Sequence, residues 1–185
     1  PEGLSNVAFL GCCELDFETE ALLAFEAGLV AVDDGFTVTY LPTGDFNDVA
    51  GATEAYNQAV ANGAGAVYPF LGGSHEAIVG LANEDGLITM SAGSSTACEH
   101  PELDYDIAVQ FDAGDYVMAI FDAILSGDLA EGDIYRFTVG EFDKVGANFC
   151  DASDEQVAAL DDVRQRIAAG EFADLFAAIK AEAYG

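Results

Sequence analysis

Three times in this chain a short apolar run stops at small residues that open a helix. Ala66-Val67-Tyr68-Pro69-Phe70-Leu71 leads into Gly72-Gly73-Ser74, Val7 to Leu10 leads into Gly11-Cys12-Cys13, and Leu87 to Met90 leads into Ser91-Ala92-Gly93-Ser94-Ser95. Glycine at such a junction lets a ligand approach the backbone, and the N–H groups of the helix start point at whatever sits there. Strand ends of this kind on one sheet converge on one crevice, which directs the search to α/β architectures that bind at the carboxyl edge.

The rest of the chain keeps the same rhythm. Leu15 to Val30 carries Leu15, Leu22, Phe25 and Leu29 at helical spacing, and Phe36 to Leu41 is β-branched and aromatic. After the Pro42-Thr43-Gly44 turn, Asp48 caps a helix that runs through Ala61 and ends at Asn62-Gly63. A strand over Ala66 to Phe70, a helix over Ser74 to Asn83 and a strand over Leu87 to Met90 follow. A loop of about fifteen residues, long for a turn and suited to a crossover or hinge, precedes a strand over Ile107 to Phe111. Asp115 to Leu125 reads as a helix stopped by Ser126-Gly127, and Ile134 to Gly140 as the last clear strand. Ser153, with Glu155 or Gln156 near the capping-box position, starts a helix through Val157, Leu160, Val163 and Ile167 to Gly170. A final helix over Phe172 to Tyr184 places Leu175, Phe176 and Ile179 on one side. Strands alternating with helices at this spacing imply a parallel sheet covered on both faces and joined by right-handed crossovers.

A chain of 185 residues with 51% apolar content can bury a sizeable core. Its apolar runs are a handful of residues long, against the roughly 20 needed to span a bilayer. The start, Pro1-Glu2-Gly3, lacks an initiator methionine and enters a strand almost at once, which reads as an interior start. The 34 acidic and 5 basic residues give a net charge of −29. That density repels nucleic acid and anionic lipid. It suits a solvated surface, or adaptation to high salt, where screening makes self-repulsion tolerable. With Lys and Arg so scarce, a neutral or cationic small ligand fits better than a phosphorylated or carboxylate one.

The four cysteines match no zinc spacing and are compatible with an oxidising compartment. Cys98 with Cys150 is the favoured disulfide. Phe9-Leu10-Gly11-Cys12 has only the outline of a lipid-attachment box, so Cys12 and Cys13 read as small residues at a strand end. The other singled-out residues have plain alternatives too. Phe70 suits a core position, Gly72 and Gly73 suit a turn, Asp45 and Asp48 suit turn and cap positions, and His75 suits a surface. Cys98-Glu99-His100 are adjacent residues that do not readily face one metal, so neither a metal nor a cofactor is expected.

In order along the chain, Asn6-Val7-Ala8-Phe9-Leu10-Gly11 with Phe25-Glu26-Ala27-Gly28, Gly44-Asp45-Phe46-Asn47-Asp48, Val67-Tyr68-Pro69-Phe70-Leu71-Gly72-Gly73, Ala119-Ile120-Phe121-Asp122-Ala123-Ile124, Gly132-Asp133-Ile134-Tyr135 and Ile167-Ala168-Ala169-Gly170-Glu171-Phe172 resemble the basic membrane protein family. These are substrate-binding proteins of ABC importers with a type I periplasmic-binding-protein fold. The resemblance implies a Rossmann-like lobe, a bilobed receptor that closes by a hinge on a small molecule, and delivery to a permease. In this family the ligand is typically a purine nucleoside or related nutrient.

The resemblance further implies a missing first lobe, since the family's earlier serine-phenylalanine-asparagine signature has no counterpart here. On that reading residues 1–104 are the second lobe and 105–185 the segment returning to the first lobe and hinge. The location is extracytoplasmic, with lipid anchoring through a segment outside this chain. Two positions depart from the family. Ser91-Ala92-Gly93-Ser94 stands where a ribose-binding aspartate is common, and Gly114, flanked by Asp112 and Asp115, stands where a lysine is often found.

The expected function is therefore binding of a small polar or nucleoside-like ligand, without catalysis. The expected cleft residues are Gly11, Cys12, Phe70, Gly72, Gly73, Ser74, Ser91, Gly93, Ser94 and Asp112. Two alternatives are a ligand-sensing domain of a regulator and a hydrolase. The hydrolase would use Cys12, Cys13 or a serine at 91, 94 or 95, with His75 or His100 as base. No Gly-x-Ser-x-Gly elbow, P-loop or dinucleotide fingerprint accompanies it.

Overall fold

The computed structural model describes residues 5–129 and 131–185, so the Pro1-Glu2-Gly3 start lies outside the described residues. Strands β1 (Asn6–Gly11), β2 (Thr37–Pro42), β3 (Ala66–Pro69) and β4 (Ile88–Thr89) form a parallel sheet in the order β2-β1-β3-β4. Helices α1 (Asp16–Val32), α2 (Val49–Ala61) and α3 (His75–Asp85) connect them. This is the α/β class expected, and β1 sits at its centre because both its faces are apolar. Ala8 and Leu10 point into a cluster with Ala52, Tyr56 and Ala59 of α2 and Ile78 and Ala82 of α3. Val7 and Phe9 point the other way, toward Leu22, Phe25 and Leu29 of α1. Phe9 is fully buried, worth about 1.5–3 kcal/mol on its own.

The caps form where their chemistry places them. Asp48 accepts the Ala50 amide at 3.0 Å, and Gly86, at φ +71°, ends α3 in the left-handed region. The loop after β4 is pinned to its neighbours by three contacts. Thr89 N donates to Asp106 at 2.8 Å, Asn83 and Asp104 exchange two hydrogen bonds, and Cys98 is bonded to Cys150.

The second half departs from the strict alternation. β5 (Ile107–Gln110) joins the sheet through a parallel bridge from Met90 to Ile107, but its other neighbour, β6 (Gly146–Phe149), runs antiparallel. The expectation of parallel strands throughout is thus corrected at this edge. Ile134 to Gly140 is not a strand. Phe137 stacks on Tyr116 at 4.6 Å and packs on Phe142 at 4.9 Å, while the Thr138 carbonyl takes the Glu141 and Phe142 amides in a turn that Gly140 completes at φ +89°. The apolar content read as a strand goes into this ring cluster, and β6 fills the place beside β5.

The helix expected over Asp115 to Leu125 breaks at Ile120 into α4 (Ala113–Ala119) and α5 (Phe121–Ser126). Helix α6 (Asp154–Ala168) begins with a capping box between Ser153 and Gln156. Helix α7 (Ala173–Tyr184) buries Ile179 and packs on α1, while Leu175 and Phe176 stay largely exposed. No helix among the described residues is long and apolar enough to cross a membrane.

Candidate functional site

The carboxyl ends of β1, β3 and β5 lie at one edge of the sheet, where the expected cleft residues come together. At the end of β1, Gly11 and Cys12 are buried. A Cβ on Gly11 would overlap the carboxylate of Glu18, a fully buried side chain from the first turn of α1. Glu18 accepts the Cys13 amide at 3.0 Å, the Leu15 amide at 3.4 Å and the Tyr40 hydroxyl at 3.3 Å. Burial, with a smaller contribution from Glu18, pushes the Tyr40 phenol up to about 12 against the opposing hydrogen bond from the Glu14 amide. This clamp holds residues 12–15 in a fixed turn, with Glu14 at φ +54° and Cys12 bonded to Cys13. Glycine at 11 thus makes room for Glu18.

The junction after β3 closes differently from a free anion cradle. Gly72 N donates to Phe46 O at 3.0 Å, Gly73 N to Asn47 Oδ1 at 2.7 Å and Ser74 N to Phe46 O at 3.2 Å. Ser74, fully buried, also donates its hydroxyl to Phe46 O at 2.8 Å. A Cβ at Gly73 would stand 2.8 Å from Asn47 Oδ1. The helix-start amides that the sequence offers to a ligand are occupied by the loop before α2. Asp45 and Asp48 have the turn and cap roles that residue type suggests.

At the end of β4, Ser91 is also fully buried, and its hydroxyl oxygen accepts the Val109 amide at 2.9 Å, stitching β4 to β5. Gly93, at φ +87°, leaves room for the Phe111 ring, which a Cβ would approach to 2.9 Å. Ser94 is half-buried beside it. Asp112 caps α4 by accepting the Gly114 amide at 2.7 Å. Nearby, Asp115 pairs with Lys144 at 2.5 Å, and hydrogen bonds from Lys144 and Ser95 hold its carboxyl below the usual range.

Phenylalanines line this edge. Phe70 lies 6.2 Å from Phe17 and 5.9 Å from Phe111, and Phe17 stacks on Phe46 at 6.3 Å. Behind the rings a cavity of about 1000 Å³ extends between α1, the sheet face and α6. Phe17, Phe70 and Phe111 line its near end, and Tyr68, Met90 and Ile107 its floor. Of the ten expected residues only Phe70 borders it. Sequence reasoning missed Phe17, Phe46, Asn47 and Phe111. The one available signal was that each stands next to an aspartate in the sequence.

The two histidines sit elsewhere. His75 Nδ1 lies 2.7 Å from the Pro69 carbonyl, its ring stacks on Tyr105 at 5.9 Å, and burial lowers its pKa. His75 is therefore a packed residue, which corrects the surface expectation. His100 Nδ1 accepts the Leu103 amide at 3.0 Å. Neither imidazole is hydrogen-bonded to a serine or cysteine among the described residues. Among those residues no three His, Cys, Asp or Glu side chains are grouped to hold a metal ion.

A four-stranded parallel sheet flanked by helices, with the strand ends converging on one edge, is the lobe architecture of solute-binding proteins. No protein-family model matches the chain, and no curated protein does. Solved structures share its fold. An ABC transporter solute-binding protein from Conexibacter woesei superposes with a TM-score of 0.63 at 18% identity, over 92% of this chain and 57% of its own. One from Aeropyrum pernix gives 0.62 at 13% identity, over 97% and 63%. A transcriptional activator of the comK gene from Bacillus halodurans gives 0.73 at 15% identity, over 89% and 56%. The chain thus spans 56%, 57% and 63% of the lengths of these three structures.

Proposed function

We propose that this chain is the second lobe of an extracytoplasmic solute-binding protein, with residues 105–185 forming the return toward a first lobe and hinge. It binds a small polar, nucleoside-like molecule between the lobes and delivers it to an ABC permease. The observation that carries this reading is the convergence of the β1, β3 and β5 ends on one aromatic-lined edge, in a fold shared with two solute-binding proteins over more than nine-tenths of the chain. The resemblance to the basic membrane protein family, with its collinear motifs, supports the same reading. Binding and lobe closure do the work; the histidines' engagement in structural contacts argues against a Ser- or Cys-based hydrolase.

A second reading, a ligand-sensing domain of a regulator, is favoured by the fold shared with the transcriptional activator. Both readings need a ligand at the same edge. Saturation-transfer NMR of the chain with a panel of nucleosides and small polar nutrients tests them together. Transfer to at least one compound, abolished by a bulky residue at the edge, is expected. Absence of transfer to all of them removes nucleosides and these nutrients as ligands of this edge. The coding sequence of the gene separates the two readings: a lipid-attachment leader marks the receptor, and a helix-turn-helix marks the regulator.

A further inference from the structure

We infer that the cavity between α1, the sheet face and α6 is a ligand site of its own, suited to an uncharged apolar molecule that offers a hydrogen-bond acceptor to the Tyr68 hydroxyl. The site lies within this chain and does not depend on a second lobe closing over the strand-end edge. Its volume of about 1000 Å³ is at the upper end of what small-molecule sites enclose. Phe25, Phe70, Met90, Val109, Leu160 and Val163 are among its walls. Water finds few hydrogen-bond partners against such walls, so an apolar occupant displaces it at little loss.

The charged and amide side chains of the lining have protein partners. Asn148 Nδ2 donates to Gln110 Oε1 at 2.7 Å, and Asn148 Oδ1 accepts from Arg164 at 2.5 Å. Arg164 also donates to the Ala147 carbonyl at 2.6 Å and lies 3.4 Å from Asp161. Glu20 accepts the Tyr184 hydroxyl. A charged ligand would have to compete with these partners and give up its hydration to apolar walls. The net charge of −29 further repels anionic amphiphiles.

Tyr68 is different. It is 5% exposed, and its ring packs on Phe9 at 5.1 Å, Phe25 at 5.2 Å and Phe70 at 5.8 Å, on the α1 side of the sheet where the cavity lies. The Tyr40 and Tyr56 hydroxyls donate to Glu18 and Asp85, but that of Tyr68 has no hydrogen-bond partner among the described residues. Burial alone raises its pKa. Among those residues Asp115 Oδ2 is the one fully enclosed side-chain oxygen or nitrogen without a partner, so the Tyr68 hydroxyl reaches open space, and the space that Tyr68 borders is this cavity. A buried donor left unpaired is costly, and a carbonyl or ether oxygen on a ligand relieves that cost.

The probe is Nile red, an uncharged dye with a carbonyl acceptor whose emission shifts to the blue in apolar surroundings, titrated into the 185-residue chain. Saturable binding of one dye per chain is expected. Ala24 lines the cavity from α1 together with Phe17, Glu20 and Ala21, and Ala24→Phe places a ring in it. That variant should weaken the dye at least about tenfold with circular dichroism unchanged. Leu125→Ser, at an exposed position of α5 outside the lining, should leave the dye as it is. Benzophenone and its carbonyl-free analogue diphenylmethane then compete with the dye. Tyr68→Phe removes one oxygen, should fold normally, and is expected to weaken benzophenone about 2- to 10-fold while leaving diphenylmethane unchanged. Absence of saturable dye binding overturns the inference, as does binding abolished by Leu125→Ser and not by Ala24→Phe. Equal effects of Tyr68→Phe on the two competitors overturn it as well. If Ala24→Phe does not fold, the Tyr68→Phe comparison decides alone.

Discussion

The Asn47 side-chain oxygen accepts the Gly73 amide at 2.7 Å and would stand 2.8 Å from a Cβ on residue 73. A Cβ at Gly72 would stand 3.1 Å from the same oxygen, so both glycines that mark this junction in the sequence are crowded by the neighbouring loop.

Gly73→Val should displace Asn47, shift the loop before α2 and lower ligand affinity, while the core on either side of β1 stays packed. Asn47→Ala removes a single hydrogen bond and should cost about 1 kcal/mol of stability. Because both changes act on one contact, the double variant should lose less than the sum of the single ones. Urea unfolding of the three variants measures this, and strict additivity would show that the contact is not shared.

The two disulfides should contribute very differently. Cys98–Cys150 closes a separation of 52 residues, for which the chain-entropy account gives about 4 kcal/mol. Cys12–Cys13 joins neighbours and closes no loop of consequence. Replacing Cys98 and Cys150 by serine should lower the unfolding midpoint substantially, and replacing Cys12 and Cys13 far less. Differential scanning calorimetry of the two double variants distinguishes these outcomes.

His75 gives a pH dependence with a definite sign. Burial lowers its pKa from an ordinary value of 6.5, outweighing the Pro69 carbonyl and Glu76, which both raise it. The folded state therefore prefers the neutral ring. That preference contributes stability fully above 6.5, and the contribution is lost as pH falls below 6.5 toward the depressed folded value. His75→Gln should flatten the stability profile between about pH 7 and pH 5. Chemical denaturation across that range is the measurement, and an unchanged slope would exonerate His75.

With a net charge of −29, self-repulsion dominates the surface, so the melting temperature should climb as salt is raised into the molar range. This is the behaviour of a chain adapted to high salt. A melting temperature insensitive to potassium chloride would speak for an ordinary solvated surface instead.

The alternation of strand and helix was legible through β4 because each element there carries its own period and cap: Asp48 at the start of α2, Gly86 after α3, and Val7 to Leu10 apolar on both faces. The reading failed at Ile134 to Gly140, where phenylalanine and β-branched residues serve a ring cluster with Tyr116 that no local pattern reveals. It was silent on β6, whose Gly-Ala-Asn-Phe sequence has little strand propensity and forms by pairing with β5. At the site, the strand ends were found, but Ser74 and Ser91 proved to be internal fasteners. Their hydroxyls are consumed by partners 28 and 18 residues away, which spacing alone cannot supply. Phe17 and Phe111 were passed over because an exposed phenylalanine looks like any other until three of its neighbours are assembled.

The measurement closest to the central claim is native mass spectrometry of the protein purified without dialysis, followed by gentle activation. A small polar or cationic molecule that is retained on the folded chain and leaves as a discrete mass is the expected result. Recovery of the bare folded chain alone, with no adduct when inosine and related nutrients are added back, would contradict the account.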